Sequence, residues 1–287
     1  MTRAARAAAA AAILSLTATA GCSHTQRAQA ETTVAKALIS DEQENQLGSQ
    51  VKQELEQKQK VKYLGDPQVV GFVKGMTDRI LPLAEKDRPG VKWDVKVIDD
   101  AKTVNAFATP GGFLYVYSGL LLAADDEAEL AGVLSHEAGH VVARHSARQM
   151  IDALGLQTVI GLALGENPSM LSKVVAGAGG QGLMLANSRE DETEADEYGA
   201  KYTSAAGYDP NGLITFFEKL RKMEGSSPGF AKFLSDHPAT PDRIAHLQQY
   251  IAAKHLNGTG GRDRGALAAV KQKVPKASAT PASTPGS

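Results

Sequence analysis

An α+β fold, mainly helical with one small β-sheet, is predicted by three features of the sequence. His136-Glu137-Ala138-Gly139-His140 lies inside a stretch with the apolar period of a long amphipathic helix. Ser188 to Asp196, roughly fifty residues further on, is an acidic segment whose Glu192 and Asp196 lie on a second helix. Ahead of both, three short runs rich in β-branched and aromatic residues surround Pro110-Gly111-Gly112 and read as strands. At 287 residues with 43% hydrophobic side chains, the chain can bury a substantial core in one or two domains. Its net charge of -1 gives no electrostatic reason to expect nucleic acid or an anionic membrane surface as the main partner.

In chain order, Arg3 and Arg6 precede an alanine-rich apolar run from Ala7 to about Leu16, and small residues follow up to Cys22. This is the layout of a secretory signal over residues 1–21, with an apolar run too short to serve as a permanent anchor. Thr19-Ala20-Gly21-Cys22 has the form of a bacterial lipobox, which would place a lipidated Cys22 at the mature N-terminus. Ala18-Thr19-Ala20 offers an alternative cut that would leave a soluble periplasmic protein. Cys22 is the only cysteine and cannot form an internal disulfide, so its place at the processing position favours the lipoprotein, with residues 22–39 as tether. Ser23 stands where lipoproteins that this segment resembles often carry an aspartate for inner-membrane retention, and the resemblance thus favours the outer membrane.

Ser40 followed by Gln43 reads as a capping box opening a polar helix to about residue 60. Asp66-Pro67 opens a second helix, with Val69, Val70, Phe72, Val73, Met76 and Ile80 on its buried side. Strands are expected at residues 93–98, 104–108 and 113–117. Asp125, Asp126 and Glu127 bias the start of the motif helix, whose core face carries Leu130, Val133, Leu134, Val141 and Val142. The basic pair Arg144 and Arg148 reads as solvated helix surface. Residues 151–184 are apolar and glycine-rich but broken at Gly165-Glu166-Asn167-Pro168, which suits a helical hairpin, either a lid or a part of the core. Asp209-Pro210 opens a further helix with Leu213, Ile214, Phe216, Phe217 and Leu220 as its core stripe. From 257 to 287 the composition predicts a disordered tail, leaving 40–256 as the folded domain. No tetratricopeptide-type repeat is visible, so no partner-binding array of that kind is expected.

The chemistry is carried by the two helices. At about 100° per residue, His136 and His140 differ by only about 40° around the axis, so both imidazoles reach one metal ion. Glu137, displaced around the axis, suits a base acting on metal-activated water. A catalytic zinc takes three protein ligands, so a carboxylate must come from elsewhere. Glu192 and Asp196, four apart, share a face; one can ligate while the other hydrogen-bonds a ligand imidazole from behind. Glu194 falls on another face. A third histidine in the first motif is not available: Ser146 occupies its place, and His145, about 180° around from His136 on a continuous helix, reads as a structural or surface residue.

These residues resemble the zinc metallopeptidase family of the CAAX prenyl protease and the heat-shock protease HtpX. The likeness rests on residues 105–112, the run from Asp126 through His136 to His145, the S-R-x-x-E-x-x-A-D pattern from Ser188, and His237-Pro238 with Arg243, all in the family's order. It covers roughly residues 40 to 252 and is nearest to the family's envelope lipoprotein branch. The resemblance implies a zincin-like (gluzincin) metalloprotease domain binding one Zn2+, with Glu192 as third ligand and Asp196 as its companion. It implies Glu137 as catalytic base and His237 as a residue that contacts substrate or approaches the metal. Arg243 is expected to pair with acidic residues of the site. Asn105, Ala106 and Phe107 would form an edge strand that binds extended peptide by strand addition. Unfolded or misassembled envelope proteins are the substrates this implies; an assembly factor or chaperone that rarely cleaves is the alternative.

Overall fold

In a computed structural model of the chain, the residues described are 39–177, 187–223 and 228–275. The signal segment, Cys22 and most of the tether lie outside them, as do the end of the 151–184 hairpin and the last part of the tail.

The chain opens with α1 (Asp41–Gln53), where the Ser40 hydroxyl accepts from the Gln43 amide and the Gln43 side chain accepts from the Ser40 amide. A π-helical turn, Glu54–Lys58, continues it. Helix α2 (Pro67–Asp87) starts on Asp66, whose carboxylate accepts from the amides of Gln68 and Val69. Its buried side carries Val69, Val73, Met76 and Ile80, but Val70, expected among them, is 37% exposed. One position beyond Val69 is about 100° around the axis, off the core-facing stripe.

The sheet has strands β1 (Asp94–Ile98), β2 (Ala106–Thr109) and β3 (Phe113–Tyr117) in the order β1-β3-β2, with β1 parallel and β2 antiparallel to the central β3. Side chains alternate across it. Val97, Ala106, Ala108, Leu114 and Val116 join one core, and Ile98, Phe107, Phe113, Tyr115 and Tyr117 join a second on the opposite face. Pro110-Gly111-Gly112 turns β2 into β3 with both glycines at positive φ, and a Cβ on Gly112 would lie 2.3 Å from Val91.

After α3 (Ser118–Ala123) comes the motif helix α4 (Glu127–Val142), capped by Asp126 and buried along its whole length. Helices α5 (His145–Leu154), α6 (Leu156–Ala163) and α7 (Pro168–Gly177) follow. The described part of the 151–184 hairpin packs on α1 and its π-turn, placing Val159, Leu162, Ala163, Leu171 and Val175 in the second core. Helix α8 (Arg189–Ala205) lies along α4, and α9 (Gly212–Met223), α10 (Pro228–Asp236) and α11 (Pro241–Ala253) close that side. Glycine sets the α4–α8 spacing: a Cβ on Gly139 would come within 2.8 Å of Tyr198 Cβ and 3.1 Å of the Ala195 carbonyl. No helix among the described residues is long and apolar enough to cross a membrane.

Two further expectations are corrected. Arg144 is not solvated surface: it is 1% exposed, with Nε 2.7 Å from Glu44 and Nη2 2.9 Å from Asp41, while Arg148 pairs with Asp191. The chain is also not a tail from 257 onward, because α12 (Leu267–Lys273) packs on α2 and α3 with Leu267, Val270 and Val274 buried. Those three residues stand at i, i+3 and i+7, a short stripe hidden in a small-residue composition.

Candidate metal centre

The site is assembled by α4, α8 and the segment joining α10 to α11. The side chains of His136, His140, Glu192 and His237 each offer one ligand atom, all within 4.8 Å of one another, and all four residues are buried. His136 Nε2 lies 2.9 Å from His140 Nε2 and 3.4 Å from Glu192 Oε2; His140 Nε2 lies 3.3 Å from Glu192 Oε1. Ligands tetrahedral about an ion at the roughly 2.0–2.1 Å of a zinc–nitrogen bond stand about 3.3 Å apart, so these separations fit a small divalent cation. His237 Nδ1 comes to 3.3 Å from His136 Nε2 and 3.0 Å from Glu192 Oε1. Glu137 Oε1 and His237 Nε2 are buried polar atoms without a hydrogen bond in the chain, and they face each other at 3.4 Å. Polar atoms so placed are costly unless a ligand meets them.

Behind these four residues lies the second acidic residue of the Glu192 and Asp196 pair on α8. Asp196 Oδ1 is 3.0 Å from His136 Nδ1, and Arg243 grips Asp196 through Nε at 2.8 Å and Nη2 at 2.7 Å. The same guanidinium reaches Glu192 Oε2 at 2.8 Å and the Pro238 carbonyl at 2.7 Å, and lies over the Phe217 ring. Arg243 is presented by the first turn of α11, whose cap is Thr240. Asn187 donates to Glu192 Oε1 from just before α8.

Electrostatics divides the carboxylates. Burial pushes the Glu137 carboxyl up, an effect only partly offset by the neighbouring His237 and His136, which suits a group that must take up a proton near neutrality. Glu192 and Asp196 are equally buried, yet both are held below the usual carboxylate range, Glu192 by His237 and Arg243 and Asp196 by Arg243 and His136. His140 is driven well below its ordinary value by burial. Burial also opposes the charged form of His136, but its hydrogen bonds with Asp196 and Glu192 outweigh this and raise it to about 9.

The predicted edge strand is an edge in the structure. The Tyr117 amide donates to the Asn105 carbonyl, so antiparallel alternation turns the backbone groups of Ala106 and Ala108 away from β3, and the Ala108 carbonyl accepts from Ser146 Oγ at 3.2 Å. Phe107 is buried and stacks on Tyr115, so only the backbone of this segment is turned to the free edge. Asn105 Nδ2 donates to Asp236, next to His237. Asp236, Asn187 and His145 were missed as neighbours of the site. Asp236 could have been found from its adjacency to His237, whereas His145 was hidden by a helix break that nothing in the local sequence announces.

A family model described as peptidase family M48 matches residues 71–251. The mitochondrial metalloendopeptidase OMA1 of Schizosaccharomyces pombe is 36% identical over 163 residues, covering 56% of this chain and 47% of that protein. Metalloprotease LoiP of Escherichia coli is 37% identical over 157 residues, 53% of this chain and 61% of its own. The beta-barrel assembly-enhancing protease of Escherichia coli is 28% identical over 222 residues, 74% and 45% respectively. The chain thus spans about half the length of the curated relatives it matches.

Proposed function

Because the chain belongs to peptidase family M48, we propose that it is a zinc-dependent metalloendopeptidase of the bacterial cell envelope, hydrolysing peptide bonds of misfolded or stalled envelope and outer-membrane proteins. The observation that carries this reading is the convergence of His136, His140 and Glu192, with Glu137 beside them and its pKa raised by burial. A site that only held a metal for structure would have no use for a base in that position.

Zinc, when bound, supplies Lewis acidity that polarises the scissile carbonyl and makes water a better acid. The rest falls to side chains. Glu137 takes a proton from the attacking water on Oε1 and returns it to the leaving amine. His237 Nε2, buried without a hydrogen bond and 3.4 Å from Glu137 Oε1, would donate to the developing oxyanion. Arg243 and Asp196 hold Glu192 and His136 in position. The free edge of β2 would receive an extended segment along Asn105, Ala106 and Phe107, with the outward-facing backbone of Ala106 making the hydrogen bonds, which favours unfolded substrates over any one sequence. Lipidation at Cys22 would keep the enzyme on the periplasmic face of the outer membrane.

A second reading, a client-binding assembly factor that rarely cleaves, is favoured by one observation. His237 Nδ1 stands within ligand distance of the motif atoms, and the Val104 amide beside β2 already donates to Gly229 at the start of α10. The α10–His237 segment would then hold the site closed until a client moves it.

Bound zinc and casein cleavage, measured side by side for wild type and Glu137→Gln, test the proposal. One zinc in each with cleavage by wild type alone, reduced about 10²- to 10⁴-fold in the variant, is expected. One zinc in each with no cleavage by either favours the second reading, and no zinc in wild type sinks both.

A further inference from the structure

His140 turns Nε2 toward His136 and Glu192, and its other nitrogen, Nδ1, lies 2.7 Å from Nδ1 of His145. Both rings are buried. A contact that short between two ring nitrogens needs one proton between them, so one imidazole donates and the other accepts. An imidazole that gives its Nε2 lone pair to a metal carries its proton on Nδ1. His140 is therefore the donor, and His145 accepts at Nδ1 and keeps its own proton on Nε2. That Nε2 lies 3.2 Å from Glu194 Oε2 and 3.4 Å from Asp191 Oδ1, two carboxylates ready to accept it. We propose that His145 is a positioning residue of the metal centre: it sets the tautomer and ring plane of His140, in a chain running from Glu194 and Asp191 through two imidazoles to the ligand atom. The proposal rests on the metal-site reading above.

The backbone is bent to make this contact. On an unbroken helix His145, five positions after His140, would stand about 140° away around the axis. Instead α4 ends at Val142 and Arg144 adopts φ 62°, ψ 28°, a left-handed conformation that is unfavourable for a residue bearing a Cβ, from which α5 restarts. Strain of this kind persists only where the surroundings enforce it. Here they do: Glu44 and Asp41 clamp the Arg144 guanidinium, and Arg88 ties the same Glu44 to the Val141 carbonyl at the end of α4. An ionic cluster of buried Glu44, Arg88 and Arg144 with the more exposed Asp41, which has no part in the reaction, thus holds the kink that brings His145 back to His140. The other ligand ring is held differently, by the Asp196 carboxylate on Nδ1. The two motif histidines therefore have unlike supports, one an anion and one a neutral acceptor.

Zinc affinity of the purified protein, by competition with a chromophoric chelator, should be measured for wild type, His145→Ala and His145→Asn, together with the unfolding temperature of each metal-free form. Loss of the acceptor in His145→Ala is expected to weaken zinc about 10- to 100-fold, as removal of such supports does elsewhere. His145→Asn, whose amide oxygen can accept where Nδ1 did, should recover most of that loss. Equal affinity in His145→Ala and wild type, or an equal deficit in both variants, overturns the proposal. Nitrogen NMR of the imidazoles in zinc-loaded wild type needs no variant: a His145 proton on Nε2 is expected, and a proton on Nδ1 overturns the assignment. A wild-type chain that binds no zinc removes the metal site itself, whereas zinc binding indifferent to His145 removes only this inference.

Discussion

Arg243 faces two buried carboxylates, Glu192 and Asp196, at 2.7 to 2.8 Å, and is itself 5% exposed. Its value lies less in the pairing than in what its removal leaves behind, since an unmatched buried charge is far costlier than a buried pair is stabilising. Arg243→Ala should therefore destabilise the metal-free protein by about 3–5 kcal/mol in urea unfolding. Arg243→Lys should fall between, because an ammonium keeps the charge but cannot make the two-pronged contact with Asp196. An Arg243→Ala loss below about 1 kcal/mol would show that the carboxylates are protonated or hydrated instead. At this scale the sequence was readable wherever the geometry is local. Two histidines four apart on one helix converge whatever the remainder of the chain does, and so do Glu192 and Asp196. Which of the two acids faces the candidate metal position is a tertiary fact, and residue spacing left it open; the structure turns Glu192 to the imidazole Nε2 atoms and Asp196 to His136 Nδ1. Arg144 was read as surface, and His145 as turned away from the motif histidines, on one assumption, that α4 runs on through residue 144.

Helices α4 and α8 carry His136, His140 and Glu192, so their separation governs the geometry of the candidate site. Gly139→Ala would gain about 0.8–1.0 kcal/mol of helix propensity. Against this, its Cβ would meet Tyr198 Cβ at 2.8 Å and the Ala195 carbonyl at 3.1 Å, atoms close to backbone that cannot swing aside. Overpacking of this sort costs about 1–3 kcal/mol, so a net loss of up to about 2 kcal/mol is expected, with weaker zinc binding because Glu192 moves with α8. A variant as stable as wild type with unchanged zinc affinity would mean the helices part without cost. The end of α2 is fastened to α8 by Asp87, whose Oδ2 accepts from Lys201 Nζ and Tyr202 OH, each at 2.6 Å. Burial opposes ionisation there, but the two donors win and hold the carboxyl below its ordinary value. A depressed folded pKa contributes stability above the unfolded value, about 3.9, and loses it as pH falls through the folded one. The advantage of wild type over Asp87→Asn should thus be full at neutral pH and vanish on acidification below about 3.9. An advantage independent of pH would point to packing instead. Element starts were the most legible part of the fold, since Ser40 and Asp66 cap the helices they were expected to open, and Asp126 caps the helix whose start it was expected to bias. The central β3 falls where it was expected, whereas the ends of β1 and β2 drifted by a residue or two because they depend on pairing, which only the folded sheet defines.

On the scale of the molecule, the chain after α11 returns to the start of the motif helix. The Ala128 amide donates to the Arg262 carbonyl at 2.8 Å, Arg262 Nε reaches Asp126 at 2.7 Å, and the Ala266 amide donates to Glu127 Oε1 at 3.1 Å. Asp126 is the cap of α4, so residues far along the sequence fix the end of the helix that carries His136, Glu137 and His140. Composition could not disclose this, because hydrogen bonds from backbone amides and a stripe of three apolar residues leave little mark on a segment otherwise rich in Gly, Ala and Lys. Removing everything after Asn257 exposes the sites of Leu267, Val270 and Val274 in the core. Burying one such side chain contributes about 1.5–3 kcal/mol, from which the ordering entropy of the segment must be subtracted. A net loss near 2 kcal/mol, lowering the melting temperature by about 4–8 °C, is the expected result. Hydrogen exchange separates a local effect from a general one: if the segment clamps α4, the Ala128 amide should lose protection by more than amides of β3, which the truncation does not touch. Equal loss at both would mean that the C-terminal segment stabilises the core as a whole, and no loss at either would mean that α4 holds its own N-terminus through Asp126 alone.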